Sequence, residues 1–460
     1  MNPLLNPFIS LPLLKSTLID RKRLGYSTPE QIQRYKDKSL KKMLNYAKTI
    51  PLYHDIYKKA GIRPRDIHGI TDIDKIPMIS KHDVTSYYPD RLLPSLSKKK
   101  HSHIVCTGGT TGKPLCIYTD FYTIGISATL TLRQLDLLGL PSKNLKMVHI
   151  GNFNPYRIDM VVRDHFHPHI KSFAKTDNIL NIDVNTPFRE IMAQLNEFKP
   201  DVIMTYPATF QYLASLKRNG EGPQIKPLLC WTGGAMLDTY TRASVEDAFN
   251  CRLLNIYPSV EAHGDIAFEC RHGTWHIHDD FYHLEAIDDD GQLVGPGERG
   301  HIVISRLWGR GTPIIRYNGM DDWVRLGEPQ LCECGLNTHV ILGGVEGRKR
   351  ANIVLPNGKV FPPGAFCFIT PVLNNLNTFK VKQYQIVQEK IDLIHIYLVI
   401  DEHQRDTPPP VDLIKDHIKE AYEKKVGPGV TIIVKEVDSI SHPTNARKPP
   451  PIVISKVKQE

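Results

Sequence analysis

Residues 107–115 read TGGTTGKPL, and the rest of the chain is best read outward from them. Small side chains leave the backbone N–H groups and the threonine hydroxyls free to close around phosphate oxygens. Lys113 adds a mobile positive charge on a long stem. A Walker loop needs four residues between its first glycine and Gly-Lys, then Ser or Thr for magnesium. Here three residues separate Gly108 from Gly112, and Pro114 follows Lys113. The flanks also disagree with a Walker loop. Residues 103–106 and 115–119 are apolar and β-prone, so both read as strands. A strand–loop–strand context offers no helix dipole at the loop's exit, so the loop must hold anions by its own N–H groups, hydroxyls and lysine. A plain hairpin turn is the alternative, although it does not require a threonine pair followed by Gly-Lys-Pro.

Upstream, residues 21–84 carry apolar side chains at helical spacing, with Ile32, Tyr35, Leu40, Met43, Leu44 and Ala47 on one face. Ser80-Lys81-His82-Asp83 has the form of a capped helix start. Downstream, residues 121–138 read as a helix. Residues 146–231 then alternate strand and helix, with strands at 147–150, 201–205 and 228–231 and helices at 188–198 and 209–217. This alternation predicts an α/β fold with a largely parallel sheet, whose ligands sit beyond the carboxyl ends of strands. After Glu261 the pattern turns β-rich. From Lys349 it becomes a small α+β module with a helix at 411–425. The expected division is a large N-terminal domain, 1–347, and a small C-terminal domain, 348–460.

With 460 residues the chain exceeds one compact core. Apolar content of 41% and charged content of 23% are those of a globular protein. The net charge of +9 suits an anionic substrate or cofactor. The basic runs 98–100 and 348–350 are short and not interleaved with aromatics, so no nucleic-acid partner is expected. No apolar run is long enough to span a bilayer, and residues 1–18 lack the order of a secretory leader. Eight cysteines make no dense disulfide framework, and a cytoplasmic location is expected.

Three more segments join the loop. Tyr257-Pro258-Ser259-Val260-Glu261 puts an aromatic ring and a carboxylate after a strand. Residues 315–321 end a strand on Asp321, and Gly347-Arg348 precedes the C-terminal module. In this order the segments resemble the adenylate-forming superfamily of acyl-CoA synthetases. With the N-terminal helices and Cys332-Glu333-Cys334, the chain looks like a member of the phenylacetate–coenzyme A ligase family, over nearly its whole length.

The resemblance implies roles position by position. Thr107, Gly108, Thr110, Thr111 and Lys113 match the phosphate loop, and Gly233 and Gly234 the segment lining adenine and the acyl pocket. Tyr257 would flank adenine, Ser259 would lie near the phosphates, Glu261 would hold Mg2+, and Asp321 would take the ribose hydroxyls. Arg348 would reach the ribose or phosphates near the hinge, and Lys448 matches the C-terminal lysine of adenylation by its distance from Pro443. The implied reaction joins a carboxylic acid, aryl or arylacetic, to the α-phosphate of ATP, then passes the acyl group to coenzyme A. Taken singly, Glu261 reads as a surface carboxylate, Asp321 as a turn cap and Lys448 as a tail lysine.

Cys270, His276, Cys332 and Cys334 have the ligand types of a structural zinc site, with His272 as the alternative histidine; unliganded thiols are the other reading. The chain departs from the family at Pro258, at Gly319-Met320 and at Arg350. Residues 151–156 are unlike the family's acyl-pocket stretch, which puts phenylacetate itself in question. His149, Phe153, Tyr206 and Trp231 would suit a planar acid and equally suit a core. Transfer to an amine or carrier protein, and a non-catalytic nucleotide sensor, stay open, as does a homodimer through the N-terminal helices.

Overall fold

The computed structural model describes residues 2–94, 101–108, 114–140, 144–171, 176–440 and 450–457. Thr110, Thr111, Lys113 and Lys448 lie outside the described residues. The chain forms two compact units. The first holds residues 1–144, 153–178 and 256–344, and the second 145–152, 179–255 and 345–460.

The first unit opens with helices. Pro7–Leu18 is helical despite Pro12 and lies against Phe121–Leu137, where the Ser16 and Thr129 hydroxyls meet at 3.0 Å. Pro29–Ala47 starts at a capping box, in which the Thr28 hydroxyl accepts from Gln31 N–H and the Gln31 side chain accepts from Thr28 N–H. Satisfying two orphan donors at once, with Pro29 preset for the first turn, fixes that start. The Ser80–Asp83 box expected from the sequence starts Lys81–Tyr87 in the same way. The strands Ser102–Cys106 and Cys116–Asp120 form an antiparallel hairpin around the glycine–threonine loop.

An antiparallel sheet follows, in the order Tyr282–Ile287, Arg299–Arg306, Trp323–Leu331, Asn337–Ile341, Trp275–Ile277 and Gly264–Glu269. Beneath it lies a buried ionic cluster. Arg133 is 1% exposed and donates to both oxygens of Asp280 at 2.8 and 2.7 Å; Arg23 donates to the same carboxylate at 2.9 Å. Removing one member of such a group strands a buried charge. Asp280→Ala is therefore expected to cost about 3–5 kcal/mol in denaturant unfolding, far more than any exposed aspartate of the chain.

A second buried pair ties Pro29–Ala47 to the sheet region. Lys36 Nζ lies 3.2 Å from Asp279, whose other oxygen accepts from the backbone and ring of His339 at 2.7 and 2.8 Å. Burial alone would raise the Asp279 pKa; the Lys36 charge and the His339 hydrogen bonds outweigh it and hold the carboxyl well below the usual carboxylate range. A depressed acid contributes stability above its unfolded pKa of about 4, and that contribution is lost as pH falls below it. The stability difference between the wild type and Lys36→Met should therefore be constant at neutral pH and shrink below about pH 4 in pH-dependent denaturation.

The second unit contains a parallel sheet in the order Leu229–Gly233, Val202–Thr205, Met147–Gly151 and Ile179–Asp183. One face, with Val148, Ile150, Ile203 and Cys230, packs under the helices Phe188–Phe198, Pro207–Arg218 and Thr239–Phe249. The unit also holds the C-terminal four-stranded sheet, in the order Thr431–Glu436, Leu393–Ile400, Val381–Lys390 and Val453–Ser455, with the helix Val411–Val426. Tyr240 joins that sheet's core and its hydroxyl donates to Val381 O at 2.8 Å. The predicted α/β class with a β-rich part and a small C-terminal α+β part is what the structure contains.

Candidate active site and metal centre

Four of the expected nucleotide residues lie in the first unit close to one turn. The strand Leu253–Ser259 pairs with Gly264–Glu269, Ser259 opposite Gly264, which leaves residues 260–263 as the turn. Pro258 cannot donate to a ladder, and the register shifts at Tyr257/Pro258. Glu261 sits in this turn. Its backbone N–H donates to Ser259 Oγ at 3.1 Å, and the Ser259 hydroxyl donates back to its carboxylate. Two residues apart, serine and glutamate thus fix each other. The Glu261 side chain is half-buried, and the serine takes one of its two carboxylate oxygens.

Tyr257 is buried, and its hydroxyl donates to Asp322 at 2.6 Å. Asp322 was not singled out in the sequence; its tandem with Asp321 is the signal that could have drawn attention to it. Asp321 follows in the left-handed region, φ 66°, half-buried, while Asp322 is buried. Gly319, where the family has threonine, fits for a local reason. A Cβ there would lie 2.4 Å from the hydroxyl of the fully buried Tyr317. In the same turn, His263 is buried with neither ring nitrogen partnered among the described residues; burial, then the Arg306 charge, push its pKa well below the usual value.

Thr107 and Gly108 stand at the neck of the hairpin. Thr107 N–H donates to Leu115 O at 2.8 Å, and its hydroxyl accepts from Leu115 N–H at 3.0 Å. Unforeseen in the sequence, the opposed Cys106 and Cys116 form a disulfide. Phe153, also in the first unit, is buried under the Arg163 guanidinium, 4.8 Å from the ring centre.

In the second unit Gly233 and Gly234 end the strand Leu229–Gly233. Gly234 has φ +73°, and a Cβ on it would meet the Tyr206 ring at 3.2 Å. Tyr206 leads from Val202–Thr205 into the helix Pro207–Arg218. The Thr205 hydroxyl donates to Ile150 O and the Thr232 hydroxyl to Thr205 O, at 3.0 and 2.8 Å, pinning the carboxyl ends of adjacent strands. His149, Met204 and Trp231 stand in one row across three strands, so their side chains share a face. Trp231 is buried and its indole N–H has no partner among the described residues. Arg348 is exposed at the start of a short 3₁₀ turn, after Gly347 with φ +95°.

The expected metal ligands do converge. One donor atom each from Cys270, His276, Cys332 and Cys334 all lie within 4.8 Å of one another. The Cys270 and Cys332 sulfurs are 3.8 Å apart, and Cys334 Sγ is 3.2 Å from His276 Nε2. His276 is fully buried, and its Nδ1 faces the Thr338 hydroxyl at 2.9 Å, a contact that fixes the ring with Nε2 toward the Cys334 sulfur. Gly335 N–H donates to Cys332 O at 2.9 Å, the tight turn that brings Cys332 and Cys334 together. The hydrogen bond between Cys270 and Cys334 holds the Cys270 thiol below its usual range and the Cys334 thiol above it. His272, the alternative ligand, instead pairs with Glu333 at 3.1 Å.

Comparison with known proteins gives the class first. The chain superposes with TM-score 0.74 on a crystal structure of 2-hydroxyisobutyryl-CoA ligase in its postadenylation state, over 91% of this chain and 89% of that one, at 16% identity. The fold is therefore that of an adenylate-forming CoA ligase. By sequence it is 25% identical to the phenylacetate–coenzyme A ligase of Thermus thermophilus over 342 residues, 72% of this chain and 74% of that enzyme. It is 26% identical to the corresponding enzyme of Aromatoleum evansii, over 59% of this chain and 61% of that one. No protein-family model matches the chain. The chain is a relative of the phenylacetate–coenzyme A ligases, as the ordered motifs imply.

Proposed function

We propose that this protein is an ATP-dependent acid–thiol ligase. It activates a carboxylic acid, aryl or arylacetic, as an acyl-AMP and transfers the acyl group to coenzyme A, releasing pyrophosphate and AMP. The observation that carries the reading is the Ser259–Glu261 turn, a carboxylate held by its own neighbour beside the buried Tyr257–Asp322 pair. The relatives' names and the postadenylation fold support the same reaction class.

The difficulty of the first step is bringing a carboxylate to a polyphosphate, since both are negative. Mg2+, when bound at Glu261, supplies charge neutralisation at the phosphates. Thr107, Gly108, Thr110, Thr111 and Lys113 cradle the β- and γ-phosphates in this reading, and Lys448 meets the α-phosphate oxygens as charge builds there. Tyr257 flanks adenine, its ring steadied through Asp322; Asp321 and Arg348 take the ribose side; Gly233 and Gly234 leave room for the nucleotide. His149, Tyr206 and Trp231 of the second unit and Phe153 of the first are the acid-contacting residues of this reading, and the Trp231 N–H, unpartnered among the described residues, favours an acid with an acceptor group on its ring. Residues 348–460 move relative to 1–347 between the two half-reactions. Cys270, His276, Cys332 and Cys334 hold a structural zinc ion.

Acid-dependent exchange of labelled pyrophosphate into ATP, run across aryl, arylacetic and short aliphatic acids, tests adenylation. AMP release with coenzyme A against amines or carrier proteins then identifies the acceptor. Exchange with no acid of the panel, while ATP binds, would instead make the protein a nucleotide sensor.

A further inference from the structure

The N-terminal helix of the first unit has two apolar sides, and one of them is exposed. Pro7–Leu18 is 12 residues long. Its inner side packs on Phe121–Leu137: the Ser16 and Thr129 hydroxyls meet, and Leu13 lies so close to Gly125 that a Cβ there would come within 2.6 Å of it. On the outer side Phe8, Leu11, Leu14 and Leu18 recur every three or four residues, which sets them in one stripe. Ile19 and Tyr26 continue the apolar surface beyond the helix. The exposure of these six side chains runs from 55% at Leu14 to 83% at Tyr26. A single exposed leucine needs no explanation, but a contiguous stripe of large apolar side chains marks a surface that docks on something.

The charges on the outer side decide what it fits. Lys15 stands within the stripe and Lys22 just beyond it, both exposed and paired with no carboxylate among the described residues. Asp20, the one acid of residues 7–26, is buried and bridged to Arg23. The outer side is therefore apolar and positive, with no negative group of its own. A symmetric contact with a second copy would lay this side on itself, with no carboxylate on the stripe to receive either lysine. An anionic lipid surface takes both features at once. Acyl chains receive the leucines and Phe8, while the long lysine stems carry their charges up to the headgroup phosphates. Spanning a bilayer takes about 20 apolar residues, and among the described residues no helix is long and apolar enough to cross one. We propose that residues 7–26 are an interfacial anchor, which lies in the plane of an anionic membrane with its outer side in the headgroup–acyl boundary. The proposal does not depend on the adenylation reading.

The test is co-sedimentation of the full chain with vesicles of pure phosphatidylcholine and with vesicles of one part phosphatidylglycerol to two of phosphatidylcholine. The wild type is expected to bind the anionic vesicles about tenfold more strongly than the neutral ones. Phe8→Gln/Leu11→Gln/Leu18→Gln removes exposed apolar side chains, leaves the inner packing alone and should weaken binding about 100-fold. Lys15→Gln/Lys22→Gln should weaken binding to the anionic vesicles about tenfold and erase most of their advantage. Circular dichroism checks that both variants stay folded, and the wild-type comparison of the two vesicles stands even where a variant does not. Absence of binding to anionic vesicles overturns the anchor. So does equal binding to both kinds, or binding that survives the triple variant. A lipid-free dimer that the triple variant dissociates, seen by sedimentation velocity, also overturns it and assigns the stripe to a second copy.

Discussion

Glu261→Gln is expected to lower acid-dependent pyrophosphate exchange by about 100- to 1,000-fold while leaving the fold intact. The substitution keeps the side chain's size and its acceptance of the Ser259 hydroxyl, and removes only the negative charge. Among the described residues that charge has no cation to balance: its partner is the serine two residues before it. A structural carboxylate of this chain looks different. Asp280 is clasped by two arginines and Asp279 by a lysine and a histidine. Glu261 is half-buried, pinned in a turn and, among the described residues, bonded to a neutral hydroxyl, an arrangement that contributes little to stability and suits the proposed magnesium role. The loss should appear in kcat and in the Mg2+ concentration needed for half-maximal rate, with an unchanged melting temperature. Ser259→Ala should reduce exchange by a smaller factor, because it loosens Glu261 without removing its charge. Full exchange activity in Glu261→Gln would remove the residue from the magnesium role.

How far the sequence carried this reading depends on the range of the interaction concerned. Helix starts were legible at Ser80–Asp83, because a capping box is written within four residues. The parallel strands near 147, 202 and 229 were legible because fully buried strands are short apolar runs. Pro7–Leu18 was not read as a helix, since Pro12 and the surrounding apolar residues gave no amphipathic period; packing on Phe121–Leu137 holds it there. Asp322 was passed over because its meaning lies in a partner 65 residues away. The disulfide was missed for a similar reason: its register depends on the hairpin closing, and a pair ten residues apart reads as two separate thiols. The metal cluster was legible through ligand type, with His276 preferred over His272; the structure supplies the physical reason, since His276 is buried beside sulfur and His272 is turned to Glu333.

That cluster supports the second large expectation. The purified protein should carry one zinc ion per chain by elemental analysis, and Cys332→Ser should lose it and about 4 kcal/mol or more of stability. Four donor atoms within 4.8 Å, two sulfurs at 3.8 Å and a buried histidine facing Thr338 supply the number and type of ligands that a closed structural zinc site takes. Without an ion, the four donors are crowded together with only weak sulfur hydrogen bonds between them, which contributes little to the surrounding strands. With the ion, the same crowding joins the strands Trp275–Ile277 and Asn337–Ile341 to the Cys332–Cys334 turn. Chelation at neutral pH should lower the melting temperature of the wild type and leave Cys332→Ser unmoved. Acid should release the ion as His276 and the thiolates take up protons. The exchange rate per folded molecule should survive the substitution, since a closed site contributes to stability and none of its ligands is assigned to the nucleotide. A zinc-free wild type that melts together with Cys332→Ser would reduce the cluster to four packed, unliganded side chains.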